Sequence, residues 1–485
     1  ETDWHARKGA ALGDVECDNG SRAEFSRAKL RDTHLALLKT EAKSFTDVGS
    51  IDDGLKLATA QLQSVYEVPF LAHATMEPMN ATAHVEETRC RVWVPTQAPT
   101  IVKDVASRMT GLPFDKIDVV TTFIGGGFGR RALADFAAEA IELSQQLHVP
   151  VKVVWSREDD IRHGQFRPAA LSFVHGGVDK DGMPVAWFHR MTGQSLMASF
   201  TDMMGAMAPE MVPRPVMDFI GAGLGKLFVD GHLVDPTAVE GASDQPYKVP
   251  NAKVELAVIE SGVPVFPWLS VGQSINGFVV ESFIDELAAL GKRDPYEVRR
   301  ALLADKPKHL AVLDAIAKGI GWGSKPPEGR ARGLAVHEAF GSVCGHAMEI
   351  SVDKERGLRV HKVVSGIHCG QAINPDLVAA QMESGVIYGL SAALKQRIDF
   401  DDGRVRQSNF HDFPLLRMSE APAIETVIIP SKEHPTGVGE LGVPPVAPAL
   451  ANAFFAATGV RLRRLPMGPD IETVLAGKKP DEVTL

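Results

Sequence analysis

The sequence predicts an α+β protein of several domains, and three observations carry that expectation. At 485 residues the chain exceeds what one ordinary hydrophobic core holds, so two to four domains are expected. A strand, a helix and a strand follow one another between Ile117 and Trp155, the spacing of a β-α-β unit. Farther on, alternating strands (333–338, 346–352 and 360–367) precede long helices at 375–394 and 446–458.

In chain order, Trp4 to Ala10 reads as the middle of a helix with no capping signal ahead of it. Asp14 to Cys17 is strand-like, and a second helix lies near Asp32 to Lys39. Residues 51–64 have apolar positions at Ile51, Leu55, Leu57 and Leu62, an amphipathic helical pattern. Strands at 65–70 and 92–94, a helix at 101–109 and a strand at 117–124 follow. After a glycine loop come the helix 134–147 and the strand 151–155. The Met-, Gly- and Pro-rich stretch 194–231 lacks periodicity and reads as a long surface excursion. Helices are expected at 280–290 and at 295–303, the second with Pro295 at its start after Asp294. The run GWGSKPPEG (321–329) is the best linker. These marks divide the chain into 1–45, 46–325 and 326–485, with no internal repeat.

Hydrophobic content of 45% and charged content of 23% are those of an ordinary globular protein. A net charge of −10 without a basic stripe argues against a nucleic-acid partner. No run reaches the about 18–20 uninterrupted apolar residues of a membrane helix, so a soluble protein is expected. Cys17, Cys90, Cys344 and Cys369 are scattered, without the clustering that a zinc ribbon or iron–sulfur cluster requires. They read as buried thiols.

Two constellations carry chemistry. The first is TTFIGGGFGRR (121–131), a glycine turn between strand and helix. Glycines let the backbone approach an anion, a following helix offers unpaired N–H donors, and Arg130 and Arg131 add charged ones. A phosphate or pyrophosphate site and a plain tight turn both satisfy the pattern. A dinucleotide fingerprint fits poorly, because Arg130 replaces its third glycine. Its acidic partner would be Glu142 or Glu158, and neither stands at a clear strand end.

The second is TGVGELGVPP (436–445), in which glycines surround Glu440 ahead of a helix. Either Glu440 is an ionised carboxylate favoured by the helix N-terminus and poised as a general base, or it caps that helix. Metal motifs are weak: Gly341 stands where His337-Glu338 would need a second histidine. His73, His84, His368 and Cys369 are scattered candidates better read as structural. No G-x-S-x-G elbow is present.

Taken in order, these stretches resemble the large, molybdenum-binding subunit of the xanthine oxidase family, in its isoquinoline 1-oxidoreductase β-subunit and aldehyde dehydrogenase branch. The resemblance rests on YEVPFLAHATMEPMNATA (66–83), VWVPTQAP (92–99), GGGFGRR (125–131), QPYKVPN (245–251), FVVESFIDELAALGKRDPYEVRRALL (278–303), HCGQAINPDLVAAQMESG (368–385), NFHDFPLLRM (409–418) and GVGELGVPPVAPALANAFFAATG (437–459). It implies a multi-domain molybdopterin-binding fold and molybdenum on a molybdopterin, in the cytosine dinucleotide form. Gly126, Gly127, Phe128, Gly129 and Arg130 would form the loop beneath pterin and metal, with Gln97 and the Phe128 N–H at the apical oxo group. Gln381 and Gly439 would be further cofactor contacts, and no protein side chain would ligate the metal directly. Glu440 would be the base that takes the proton from the molybdenum-bound hydroxyl. The implied reaction hydroxylates an aldehyde or N-heteroaromatic carbon with water-derived oxygen. Electrons would pass to a small [2Fe–2S] subunit and from it to a cytochrome c acceptor, since this chain carries no iron–sulfur cluster.

Departures qualify the picture. Leu269, in WLSVGQ, stands where related enzymes carry arginine, and Ala132 where purine hydroxylases carry glutamate. Losing both charges argues against xanthine-like substrates and favours an aldehyde or less polar heterocycle. The G-Q-G cofactor loop of this branch's N-terminal section is missing, so residues 1–45 are expected to be the tail of an N-terminal domain. That domain would be a separate part of the same large subunit, the chain being a processed, split or truncated form. A competing expectation is a cofactor-free scaffold subunit; an NAD(P) enzyme is the weaker third. Compartment stays open between bacterial periplasm and cytoplasm, soluble or peripherally membrane-associated.

Overall fold

In a computed structural model of the chain, residues 2–483 and 485 are described, apart from 15, 17–19, 202–213, 230–232 and 234. The strand-like 14–17 stretch lies largely outside the described residues. Three sheets carry the architecture. The first runs in the order Lys43–Val48, Asn251–Val258, Pro184–Gly193, Ala170–Val178 and Ala60–Val68, antiparallel except between Pro184–Gly193 and Asn251–Val258. The second runs Arg330–Ala339, Ser342–Asp353, Gly357–His368 and Ala423–Ile428, the last pair parallel. One continuous core joins both sheets to the helices Gln273–Leu290, Pro307–Ile320 and Val446–Thr458, drawing on residues either side of 321–329.

The third sheet positions the glycine loop. Its order is Ile117–Thr121, Cys90–Val94, Asn80–Val85 and Val151–Val154, and the helices Pro99–Thr110 and Asp135–Leu147 pack on it. The expected strand–helix–strand unit exists, but its strands 117–121 and 151–154 occupy opposite edges of the sheet. The neighbouring parallel pair is Cys90–Val94 with Ile117–Thr121, linked through Pro99–Thr110. Periodicity along the chain identifies a strand and leaves its neighbours open.

Elsewhere the structure corrects boundaries. The 51–64 helix stops at Leu57, and Ala60–Val68 pairs with Ala170–Val178 instead. The Gln61-Leu62-Gln63 alternation satisfies a strand, and sheet pairing decides. The helix expected from 280 begins at Gln273; residues 273–288 are buried on every face, so it shows no amphipathic stripe to read. The first helix, Asp3–Ala10, does have a cap: Thr2 accepts from the His5 N–H. Within the expected excursion, Met197–Thr201 and Arg214–Val229 are helical, while 202–213 lie outside the described residues. Gly221 and Gly225 serve close packing there, since a Cβ on either would come within 2.6 Å of Thr201.

The helix Pro375–Leu394, interrupted by Asp376 and Glu383, is long and apolar enough by length and composition to cross a membrane, and half of it is buried inside the molecule. Cys90, Cys344 and Cys369 are free and buried, and burial pushes the Cys344 thiol up to about 12. Cys17 lies outside the described residues.

One buried carboxylate is compensated by several donors. Glu281, 1% exposed, accepts from Arg299 Nε at 3.0 Å and from the Val336 N–H at 3.0 Å, and also binds the Tyr247 hydroxyl. Glu281→Ala leaves the Arg299 guanidinium with Asp285, at 3.6 Å, as its remaining carboxylate partner among the described residues, an expected loss of about 3 kcal/mol measurable by denaturant unfolding.

Candidate functional site

The glycine loop leaves the third sheet after Thr121, and its conformation needs glycine at two positions. Gly126 and Gly129 both have φ of 99°, outside the range of other residues. A Cβ on Gly129 would also lie 2.2 Å from the Pro267 carbonyl oxygen. Gly129→Ala is expected to cost about 1–3 kcal/mol for the backbone conformation alone, before the clash is counted. A thermal melt checks it. Phe128, at φ 56°, is the non-glycine member held in the left-handed region.

Hydrogen bonds close the loop at both ends. The Gly125 N–H donates to Glu77 Oε2 at 2.8 Å, and the Gly129 N–H donates to Gln97 Oε1 at 3.2 Å. Between them, the half-buried N–H groups of Gly126, Gly127 and Phe128 meet no acceptor among the described residues. Successive main-chain donors beside left-handed residues form a concave nest for an anionic or oxo group. These donors belong to the loop itself: the helix expected to supply them starts only at Asp135, beyond the 3₁₀ turn Arg130–Ala132.

Gln97 and the loop are thus brought together as expected, whereas the arginine side chains turn inward. Arg130, 1% exposed, binds both oxygens of Asp135 at 2.8 and 2.7 Å and lies over Phe136 and Trp155. Fully buried Arg131 donates to the Gly126 carbonyl at 2.8 Å and to Glu77 Oε2 at 3.0 Å. Their charge is spent on bracing the loop, because a buried guanidinium without partners would be prohibitively costly. A phosphate at this loop would meet main-chain donors and not the Arg130 guanidinium.

The turn 268–272 ties the loop to Glu440. The Leu269 N–H donates to the Phe128 carbonyl at 3.2 Å, and Ser270 Oγ donates to the Glu440 carbonyl at 2.7 Å. Leu269, 6% exposed, and half-buried Ala132 leave these two positions apolar. Burial raises the Glu440 carboxyl above the ordinary glutamate range, with the Ser270 backbone N–H opposing. Glu440 does not cap the following helix, which starts at Val446 with Pro445 before it and no side-chain cap. Its protonation is therefore set by desolvation and Ser270 and not by a helix N-terminus.

Gly439 faces open space: a Cβ there would meet nothing within 4 Å. Gln381 is exposed on Pro375–Leu394, next to Met382, whose backbone packs against Gly442. The same helix carries Tyr388, whose ring lies 4.2 Å from that of Phe128 and 5.5 Å from that of Trp268, and whose hydroxyl donates to the His73 carbonyl. His73 is structural: its ring nitrogens face the Gln165 and Pro267 carbonyls at 3.1 and 2.9 Å, and burial pushes it down to about 4. Glu77, Ser270 and Tyr388 carry no signal in the sequence. Glu77 follows the HATM stretch, but nothing local marks a residue whose partner is 48 positions away.

The pattern of the molybdopterin cofactor-binding domain matches residues 37–211, and that of a second such domain matches 318–422, together more than half of the chain. The chain is 30% identical over 423 residues to the isoquinoline 1-oxidoreductase β-subunit of Brevundimonas diminuta, covering 86% of this chain and 50% of that one. It is 29% identical over 456 residues to a nicotinate dehydrogenase subunit of Pseudomonas putida, covering 90% of this chain and 37% of that one. It therefore spans half or less of these relatives' length. The fold is that of quinoline 2-oxidoreductase from Pseudomonas putida 86, with a TM-score of 0.72 at 13% identity over 91% of this chain and 79% of that one. With both cofactor-binding domains and these relatives, the chain belongs to the molybdenum-binding subunits of the xanthine oxidase family.

Proposed function

We propose that this chain forms the catalytic part of an oxidoreductase that hydroxylates an N-heteroaromatic carbon or an aldehyde, with oxygen taken from water. The observation that carries the reading is the run of uncommitted N–H donors at Gly126, Gly127 and Phe128, on a loop tied through Leu269 and Ser270 to a half-buried carboxyl group. Such a cradle fits a group bearing oxo and pterin ring acceptors. Gln97, Gly126, Gly127, Phe128, Gly129 and the Arg130 main chain would hold it, with Gln381 and Gly439 at its edge. The cytosine dinucleotide form of molybdopterin is the form proposed. When bound, the molybdenum cofactor supplies a two-electron acceptor beside the carbon to be oxidised.

The protein's own part is proton handling and orientation. Glu440 accepts a proton at a carboxylate oxygen, and its raised affinity brings it nearer to the operating pH, where a general base is most effective. Ser270 fixes the Glu440 backbone, so the carboxylate is held in place before substrate arrives. Leu269 and Ala132 offer no charge for a purine's polar edge. The names of the relatives, isoquinoline 1-oxidoreductase and nicotinate dehydrogenase, support an N-heteroaromatic substrate. Electrons would leave through a separate [2Fe–2S] subunit toward a cytochrome c acceptor, and the N-terminal part of the large subunit would complete the cofactor's enclosure.

The test is elemental analysis of protein purified from its native host, with an assay for CMP released on denaturation. Molybdenum near one per chain together with CMP is expected. Absence of both would overturn the catalytic reading in favour of a scaffold role.

A further inference from the structure

The turn Ser270-Val271-Gly272 touches two carboxyl-bearing segments, and the reading of Glu440 as base uses only one of them. Ser270 serves Glu440 through its hydroxyl. Two residues on, the Gly272 N–H donates to Glu240 Oε1 at 2.9 Å. The turn between is strained: Ser270 and Val271 have φ of 66° and 51°, the second in a β-branched residue. Such conformations persist only where surrounding contacts over-determine them. Segment 237–240 presses directly on the turn, because a Cβ on Gly272 would lie 2.1 Å from the Thr237 carbonyl oxygen and 3.1 Å from Glu240 Cγ. The Glu240 backbone is held in turn by Asn276, whose Nδ2 donates to its carbonyl at 2.8 Å.

We propose that Glu240 is a positioning residue for Glu440, clamping the strained turn through which Ser270 holds the base. Its protonation state is part of the device. Burial, followed by repulsion from Asp244, Asp235 and Glu440, raises Glu240 to about 7, with the Gly272 N–H opposing. The histidine at this junction, His337, lies against Gly241 and Gly277 and is held neutral, its affinity pushed down to about 4 by burial. The charged neighbours that bear most on Glu240 are all carboxylates. Above about pH 7 Glu240 carries a negative charge; below it, Glu240 is a neutral partner to Gly272.

The functional meaning rests on Glu440 being the base, but the clamp itself is measurable on the full chain without turnover. Hydrogen exchange of the 268–273 peptide is expected to quicken about tenfold in Glu240→Ala, the order of one lost hydrogen bond. It should stay near that of the unaltered protein in Glu240→Gln, whose amide oxygen still accepts. A folded-state affinity raised above the unfolded 4.5 contributes stability that is complete below about pH 4.5 and lost as pH rises through about 7. Glu240→Gln should remove that slope from the melting temperature, and also a step near pH 7 from the kcat profile of the loaded enzyme. Unchanged exchange in Glu240→Ala, or an unchanged pH slope in Glu240→Gln, would overturn the inference. If exchange and melting respond while kcat does not, Glu240 merely caps the helix Gln273–Leu290, and the positioning role is likewise overturned. Failure of the base assignment would show separately, as retained turnover in Glu440→Gln.

Discussion

Glu440→Gln is expected to lower kcat by about 100- to 10,000-fold, the usual contribution of a positioned general base, while molybdenum content and melting temperature stay close to normal. The substitution is nearly isosteric, and the Glu440 contact that the fold uses is its backbone carbonyl, which accepts from Ser270 Oγ and from the Val443 N–H. That contact survives in the amide. What is lost is the ability to hold a proton. Because burial raises the Glu440 carboxyl above the ordinary glutamate range, the unaltered enzyme should gain activity as pH rises through that raised value. A profile of kcat/KM against pH should lose this acidic limb in the variant. Near-normal turnover in Glu440→Gln would refute the assignment.

Gly127→Val is expected to abolish loading with the cofactor, with molybdenum falling to a small fraction of one per chain. The cause is more specific than a side chain projecting toward a ligand. A Cβ at residue 127 would lie 2.5 Å from Gln97 Oε1 and 2.7 Å from Gln97 Cδ. Gln97 must then leave, and with it goes the acceptor that fixes the Gly129 N–H. The three N–H groups between Gly125 and Gly129 lose their common orientation. The loop is half-exposed, so the fold should survive with a modest drop in melting temperature. Full molybdenum occupancy in this variant would mean that the loop is not the docking surface.

How much of this is legible in the sequence differs from residue to residue. The α+β class, the helices at 375–394 and 446–458 and the C-terminal strands follow from periodicity and punctuation, which are local properties of the chain. Gly126 and Gly129 are legible as glycines with a task, since turn chemistry restricts which residues take positive φ. Glu440 stands out as a lone carboxylate among glycines, of which Gly439 faces open space. The cause of its protonation behaviour is not legible: proximity in sequence suggests a helix N-terminus, whereas burial against the 268–272 turn decides it.

The arginines show the other side of the division. As a sequence, Arg130-Arg131 reads as a pair of anion donors. Which way a guanidinium turns depends on carboxylates the chain brings from elsewhere, here Asp135 five residues on and Glu77 fifty-four residues back. Local pattern and residue chemistry suffice for the fold class, the glycine loop and the carboxylate. Strand neighbours, the inward arginines and the Glu240–Gly272 clamp emerge only once the chain has folded, because they depend on desolvation and on contacts between residues far apart in sequence.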